Sequence, residues 1–193
     1  MKRQNSGFSL LETLVVVGLI AMASTVALIR IKNALAVFDA DKASSLVQLQ
    51  FNYARQLAVN ERRNVVIGFA GSNGIKITRQ DLGGGTTVMS DVTLPAGYTF
   101  AFPPGIGDTP DGFLPGSSLY VSIGTTGTAV YLGAGTTGTF LGDGTFVDNS
   151  NVLLNGSVFT MGSGNGTARG ITLAGSAGRV KQYWLQSSAW KGR

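Results

Sequence analysis

From Phe8 to Ile29 the chain runs for 22 residues with a single charge, Glu12. As an α-helix this stretch is about 33 Å long, enough to cross the hydrocarbon core of a bilayer. No other feature limits the chain as severely, because such a helix must lie in lipid or against other apolar helices. Lys2 and Arg3 precede it and Arg30 and Lys32 follow, so the flanking charges are balanced and do not orient it. Beyond it the character changes. The 193 residues include 28 glycines and only 13% charged side chains, which suits short strands and tight turns better than a helical bundle. Val, Ile, Leu and Phe recur throughout, so the remainder is expected to fold.

Cysteine and histidine are both absent. Disulfides, thiolate nucleophiles, Ser-His-Asp triads and nearly all zinc sites are thereby excluded. The carboxylates occur singly in loops, and no general base stands at a recognisable spacing from the many Ser and Thr residues. Asp143, Asp148 and Asn151 lack the D-x-[DN]-x-[DN]-G calcium spacing. Gly162-Ser163-Gly164-Asn165-Gly166 lacks the Gly-Lys-Ser/Thr of a phosphate loop and reads as a hairpin loop. The expectation is a protein that is no enzyme and holds neither cofactor nor metal.

Three readings of the N-terminal stretch compete. In the first it is a cleaved secretory signal, with Ala21-Met22-Ala23 as cleavage site and Ser24 as the new terminus of an ordinary secreted domain. Glu12 and the continuation of apolar residues through Val26, Leu28 and Ile29 oppose this. In the second it is a plain membrane anchor, which leaves Glu12 unexplained, since an acid there costs about 2.5–3.5 kcal/mol. In the third the acid has a purpose. Gly7-Phe8-Ser9-Leu10-Leu11-Glu12-Thr13-Leu14-Val15-Val16 closely resembles the class III signal of type IV pilins and pseudopilins. The resemblance implies that a membrane aspartyl peptidase cuts between Gly7 and Phe8 and that Phe8 is then N-methylated. Glu12 becomes the fifth residue of the mature chain, the family's assembly acid. Its implied partner is the new α-amino group of an adjacent subunit. At about 4 Å and an effective dielectric near 20, that pair gains about 4 kcal/mol before desolvation.

After Ile29 the pattern turns amphipathic. Ile31, Leu35, Phe38, Leu46, Leu49, Tyr53 and Leu57 share one helical stripe, broken only by Lys42. The stripe is expected to lie on a globular core. The organisation that follows is a leader at 1–7, a transmembrane half-helix at 8–29, an amphipathic half at 30–60 and a β-rich head at 61–193. Ala54-Arg55-Gln56-Leu57-Ala58-Val59-Asn60 before Asn64-Val65-Val66-Ile67 resembles the helix end and first strand of H-type minor pseudopilins and FimT-like minor pilins. Ala168-Arg169-Gly170-Ile171-Thr172-Leu173 and Ser176-Ala177-Gly178-Arg179-Val180 resemble that group's last hairpin and its Gly-Arg turn. Major pilins commonly carry a proline within the apolar helix; here the first is Pro95, which suits a minor subunit.

In the head, period-two alternation predicts strands at Val65-Phe69, Ile75-Thr78, Tyr98-Phe102, Leu119-Ile123, Ala129-Leu132, Val152-Leu154, Val158-Met161, Ile171-Leu173 and Val180-Leu185. Asn73-Gly74, Ala96-Gly97, Asp143-Gly144, Asn155-Gly156 and Asn165-Gly166 read as turns. Gly-Thr-Thr-Gly-Thr at 124–128 and 135–139 reads as a local duplication. The expected class is α+β, a long N-terminal helix packed on antiparallel sheets in a pilin-like fold. The Pro/Gly loop over 103–116 is a candidate partner contact.

The net charge of +5 is placed unevenly. The last acid is Asp148, after which come Arg169, Arg179, Lys181, Lys191 and Arg193. Arg179 and Lys181 alternate along a predicted strand and so share a face, with Tyr183, Trp184 and Trp190 nearby. Basic residues among aromatics are what DNA binding needs. Some FimT-like minor pilins are DNA receptors for uptake, so the resemblance carries that alternative, with Arg179, Lys181, Lys191 and Arg193 as the contacts. The main expectation is a minor pseudopilin or pilin of a type II secretion or type IV pilus machine. It would sit in the inner membrane with a periplasmic head, meet the prepilin peptidase and lipid, and join other pilin-like subunits through its N-terminal helix.

Overall fold

The computed structural model describes residues 10–103, 106–112, 129–132, 137–164 and 166–192. Helix α1 (Leu10–Glu61) spans two compact units, residues 1–35 and 36–193. In the first unit Leu10, Leu11, Leu14, Val17, Leu19, Ile20 and Met22 are all exposed, and no described residue of the unit packs over them. Among the described residues this is the one helix long and apolar enough to cross a membrane. At the other end α1 stops in a Schellman turn. Arg62 takes a positive φ of 51° and the Arg63 N–H donates to the Ala58 carbonyl at 3.1 Å, satisfying one of the orphan carbonyls.

The second unit contains the rest of α1 and all the strands. Its first sheet is antiparallel, in the order β3 (Thr86–Thr93), β2 (Gly74–Gln80), β1 (Val65–Ala70), β6 (Thr137–Phe140), β7 (Phe146–Val147). The second has the order β11 (Ala189–Gly192), β10 (Arg179–Gln186), β9 (Arg169–Ala174), β8 (Gly156–Gly162), β4 (Tyr98–Phe100), with β5 (Val130–Tyr131) also on β8. The class is α+β, as the sequence pattern predicts. The alternation of β1 shows why: Val65, Ile67 and Phe69 are buried and the residues between them are not.

The helical face that meets the sheets is not the one expected. Phe38 and Leu49 are 62% and 60% exposed, Tyr53 is exposed, and only Leu46 and Leu57 at the stripe's margin touch the core. The buried face, about half a turn round the helix, carries Ala40, Ala43, Val47, Phe51, Ala54 and Ala58. Alanines bring the helix backbone close to the sheets, which leaves room for one large side chain at the centre. Phe51 fills it, its ring 6.0 Å from Phe69, 6.4 Å from Phe140 and 6.2 Å from Phe146. Burial thus follows the small residues, and the large apolar stripe is left facing outward.

Several strands depart from expectation. β3, β6, β7 and β11 were not predicted as strands: β3 is a largely exposed edge, and β6 overlaps the second Gly-Thr copy, which reads as turn-and-strand material. Val152-Leu154 forms only a single bridge, Val147 to Leu153, because Asp148 Oδ1 accepts from the N–H groups of Ser150 and Val152 and curls the segment into a turn. The turn between β1 and β2 falls on Gly71 to Asn73, with Gly74 already in β2. Asn155-Gly156 is no turn centre: Gly156 opens β8, and Asn155 Oδ1 accepts from the Gly175 N–H at 3.0 Å. Leu119-Ile123, the repeat at 124–128, Pro104 and residues 113–116 lie outside the described residues.

Candidate functional site

Glu12 sits in the first described turn of α1 and is exposed. An acid at that end complements the positive pole of the helix dipole. It belongs to a surface that is otherwise apolar, with Leu11, Leu14, Val15 and Val16 exposed around it. Gly7 and Phe8 lie outside the described residues. Within the first unit no described residue pairs with the Glu12 carboxylate.

The outward stripe of the second unit forms another apolar surface. Phe38, Leu49 and Tyr53 recur at helical spacing and stand opposite the buried alanine face. They lie on the helix and not in the head's core, so the helix offers apolar contact on both sides.

The basic face is built on β9 and β10. Arg179 pairs with Ala174, Lys181 with Thr172 and Tyr183 with Gly170, which puts Arg179, Lys181 and Tyr183 on one face of the sheet. The 106–112 segment crosses that face. Trp190 Nε1 donates to the Gly107 carbonyl at 3.0 Å, and Asp111 Oδ2 accepts from Thr172 Oγ1 at 2.6 Å and from the Tyr183 hydroxyl at 3.0 Å. Beneath it Phe102, Phe159 and Trp190 pack together, with the Phe159 ring centroid 4.7 Å from that of Phe102 and 5.3 Å from that of Trp190. The loop expected as a partner contact is therefore, in its described part, tied down to the sheet. A cleft of about 180 Å³ remains between Asp111, Thr172, Arg179 and Lys181.

Burial, together with the Asp111 carboxylate that accepts its hydrogen bond, pushes the Tyr183 phenol up to about 12. The folded state thus holds this proton after the unfolded chain has released it. The resulting stabilisation is complete below about pH 10 and is lost as pH rises towards 12. Burial raises the Tyr98 phenol too, so spectrophotometric titration is expected to show late-ionising phenols accompanied by loss of tertiary structure, and Tyr183→Phe to remove one of them.

Other basic residues fall elsewhere. Lys191 pairs with Trp184 and lies on the opposite face of the sheet, while Arg193 is outside the described residues. Arg169 is buried: its Nε donates to Asp41 Oδ1 of α1 at 2.8 Å and its Nη1 to the carbonyls of Gly166 and Ala168. It fastens β9 to the helix. The sequence places Arg169 in a basic tail and in the segment that resembles the last hairpin, but gives no sign of its tie to Asp41 or of the role of Asp111, since the partners lie far away in the chain. The Gly-Arg turn has its own explanation. Gly178 has φ of 58°, and a Cβ there would meet Arg55 Nε at 2.3 Å and the Gly144 carbonyl oxygen at 2.6 Å. The missing side chain lets Arg55 donate from α1 to the Gly144 carbonyl between the two turns. Asp143 and Asp148 are spent on their own turns. The Thr145 hydroxyl and N–H both donate to Asp143 and hold its carboxyl below the usual range.

Comparison with protein families finds one match: residues 2–28 match the prokaryotic N-terminal methylation motif. No curated protein and no solved structure matches the chain. The matched segment holds the Gly7-Phe8 junction, Glu12 and most of the apolar helix. With the α+β head this makes the chain type IV pilin-like and membrane-anchored. The motif implies processing by a prepilin peptidase and assembly with other pilins.

Proposed function

We propose that this chain is a minor pilin or pseudopilin of the H-type and FimT-like group, a low-copy subunit that helps to initiate or cap a filament of a type II secretion or type IV pilus machine. It sits in the inner membrane with its head in the periplasm, and its role is structural, without catalysis. The observation that carries this reading is the placement of Glu12 on an exposed apolar helix that matches the methylation motif. A lone carboxylate in lipid is unfavourable, and a neighbouring subunit's α-amino group relieves that cost only on assembly. The outward stripe at Phe38, Leu49 and Tyr53 gives the same neighbours a second apolar contact.

Because the chain has no cysteine, single-cysteine variants offer a clean test. Phe38→Cys and Leu49→Cys in native membranes are expected to cross-link to other pilin-like subunits, in a chain whose N-terminus maps to a methylated Phe8. A terminus at Ser24, an intact leader, or cross-links to lipid alone would reject the assignment. Quantifying the chain against the main filament subunit decides whether it is minor.

A second reading, a DNA-binding minor pilin for uptake, is favoured by one feature. Arg179 and Lys181 share a face, and the ion pairs among described residues are all made by other cations. Lys191 on the opposite face and Asp111 beside the pair weaken it. Affinity for duplex DNA that falls steeply with salt would support it.

A further inference from the structure

A carboxylate is already bound on the basic face of β9 and β10, and it belongs to the chain itself. Asp111 Oδ2 accepts from Thr172 Oγ1 at 2.6 Å and from the Tyr183 hydroxyl at 3.0 Å, while its Oδ1 accepts from Thr109 Oγ1 at 2.7 Å. Thr172, Arg179 and Lys181 line one cleft of about 180 Å³ with it. Register explains the set. Lys181 stands opposite Thr172 and Tyr183 opposite Gly170, so two hydroxyls and two cations project from the same side of the sheet. Thr and Tyr hydroxyls beside Lys and Arg are the groups that hold phosphate oxygens in protein–DNA contacts.

Asp111 takes the hydroxyls and leaves the cations unpaired. Among the described residues neither Arg179 nor Lys181 makes an ion pair, although Asp111 shares their cleft and offsets their field. Residues 106–112, which carry Asp111 to the sheet, hold two acids, Asp108 and Asp111, and no cation. They form neither helix nor strand, and among the described residues no backbone hydrogen bond joins them to β9 or β10. Their polar attachment is by side chains, through Asp111 and through Trp190 Nε1 to the Gly107 carbonyl at 3.0 Å. A segment tied in this way opens more readily than the strands beneath it. An anion that pairs with Arg179 and Lys181 as well as with the hydroxyls makes contacts that Asp111 does not.

We propose that Thr172, Arg179, Lys181 and Tyr183 form a phosphate site, and that Asp111 masks it until an incoming phosphate group takes its place. The site rests on the second reading, in which the basic face meets DNA, and gives that reading its contacts and its control. Free phosphate and a nucleic-acid backbone offer the same oxygens, so both are used as probes. The full chain in a neutral detergent is titrated with inorganic phosphate and, separately, with a short DNA duplex. Asp111→Ala is expected to bind the duplex at least about tenfold more tightly than the unaltered chain. The fall of log K with log salt should steepen by about 2, for two cations freed to meet phosphates. Asp111→Asn, which keeps an acceptor and loses the charge, should gain less. Adding Arg179→Ala and Lys181→Ala to Asp111→Ala should abolish the gain, which a merely structural Asp111 would not predict. If Asp111→Ala unfolds the head, Asp111→Asn with the same two substitutions decides. A gain that survives loss of both cations, or no binding of either probe by any variant, would overturn the proposal. A gain with phosphate and none with the duplex leaves the site standing and removes the DNA reading. Equal duplex binding with and without Asp111 does the reverse. None of these results depends on N-terminal processing or on Glu12, so the site can fail while the pilin assignment stands.

Discussion

Replacing Glu12 with alanine is expected to leave membrane insertion and cleavage intact while lowering incorporation into filaments at least about tenfold. The two effects have opposite signs. Insertion becomes easier, because removing an acid from the helix spares about 2.5–3.5 kcal/mol. Assembly becomes harder, because the neighbour's α-amino group then enters an apolar surround with no counter-charge, and leaving a buried charge unpaired costs about 3–5 kcal/mol. Glu12→Gln should behave as alanine does, since it keeps the shape and loses the charge. Glu12→Asp should recover part of the function. Immunoblots of sheared filaments against membranes give the ratio. Incorporation of Glu12→Ala at the normal level would remove the physical basis of the proposed function.

What the sequence reveals about this chain follows from the range of each signal. The membrane helix is local: its length, its one acid and the Gly7-Phe8 junction are contiguous, and the match over residues 2–28 covers the same ground. The strands β1, β8 and β9 are also legible, since burying them demands alternating or continuous apolar residues, and β10 is legible from its apolar alternation although only Tyr183 in it is buried. β3 and β6 are not, because an exposed edge and a Gly-Thr strand carry no such demand. Nor are the ties that set tertiary order. Arg169 to Asp41 and Asp111 to Tyr183 join residues far apart in the chain, and single charged residues in a sequence give no sign of their partners. The basic face was only half legible. Alternation places Arg179 and Lys181 together, but the reversal of Lys191 depends on the register of β11.

The inverted helix stripe shows how a correct period can carry a wrong assignment, and it yields the second large effect. Both faces of α1 between Phe38 and Leu57 are apolar, and period alone does not say which one the head covers. Phe51→Ala is expected to lower stability by about 3–5 kcal/mol, because its ring is 1% exposed and packs on Phe69, Phe140 and Phe146. That loss is a large part of the 5–15 kcal/mol or so that holds a typical domain. Phe38→Ala and Leu49→Ala, at 62% and 60% exposure, should change stability by no more than about 0.5 kcal/mol. Yet they should reduce incorporation into filaments, since the apolar area they remove is buried only between subunits. Denaturant unfolding followed by tryptophan fluorescence separates the two faces. Should Phe38→Ala destabilise the head as much as Phe51→Ala, the outward stripe is packed within the subunit after all. Should it change neither stability nor incorporation, that stripe is not where neighbouring subunits meet.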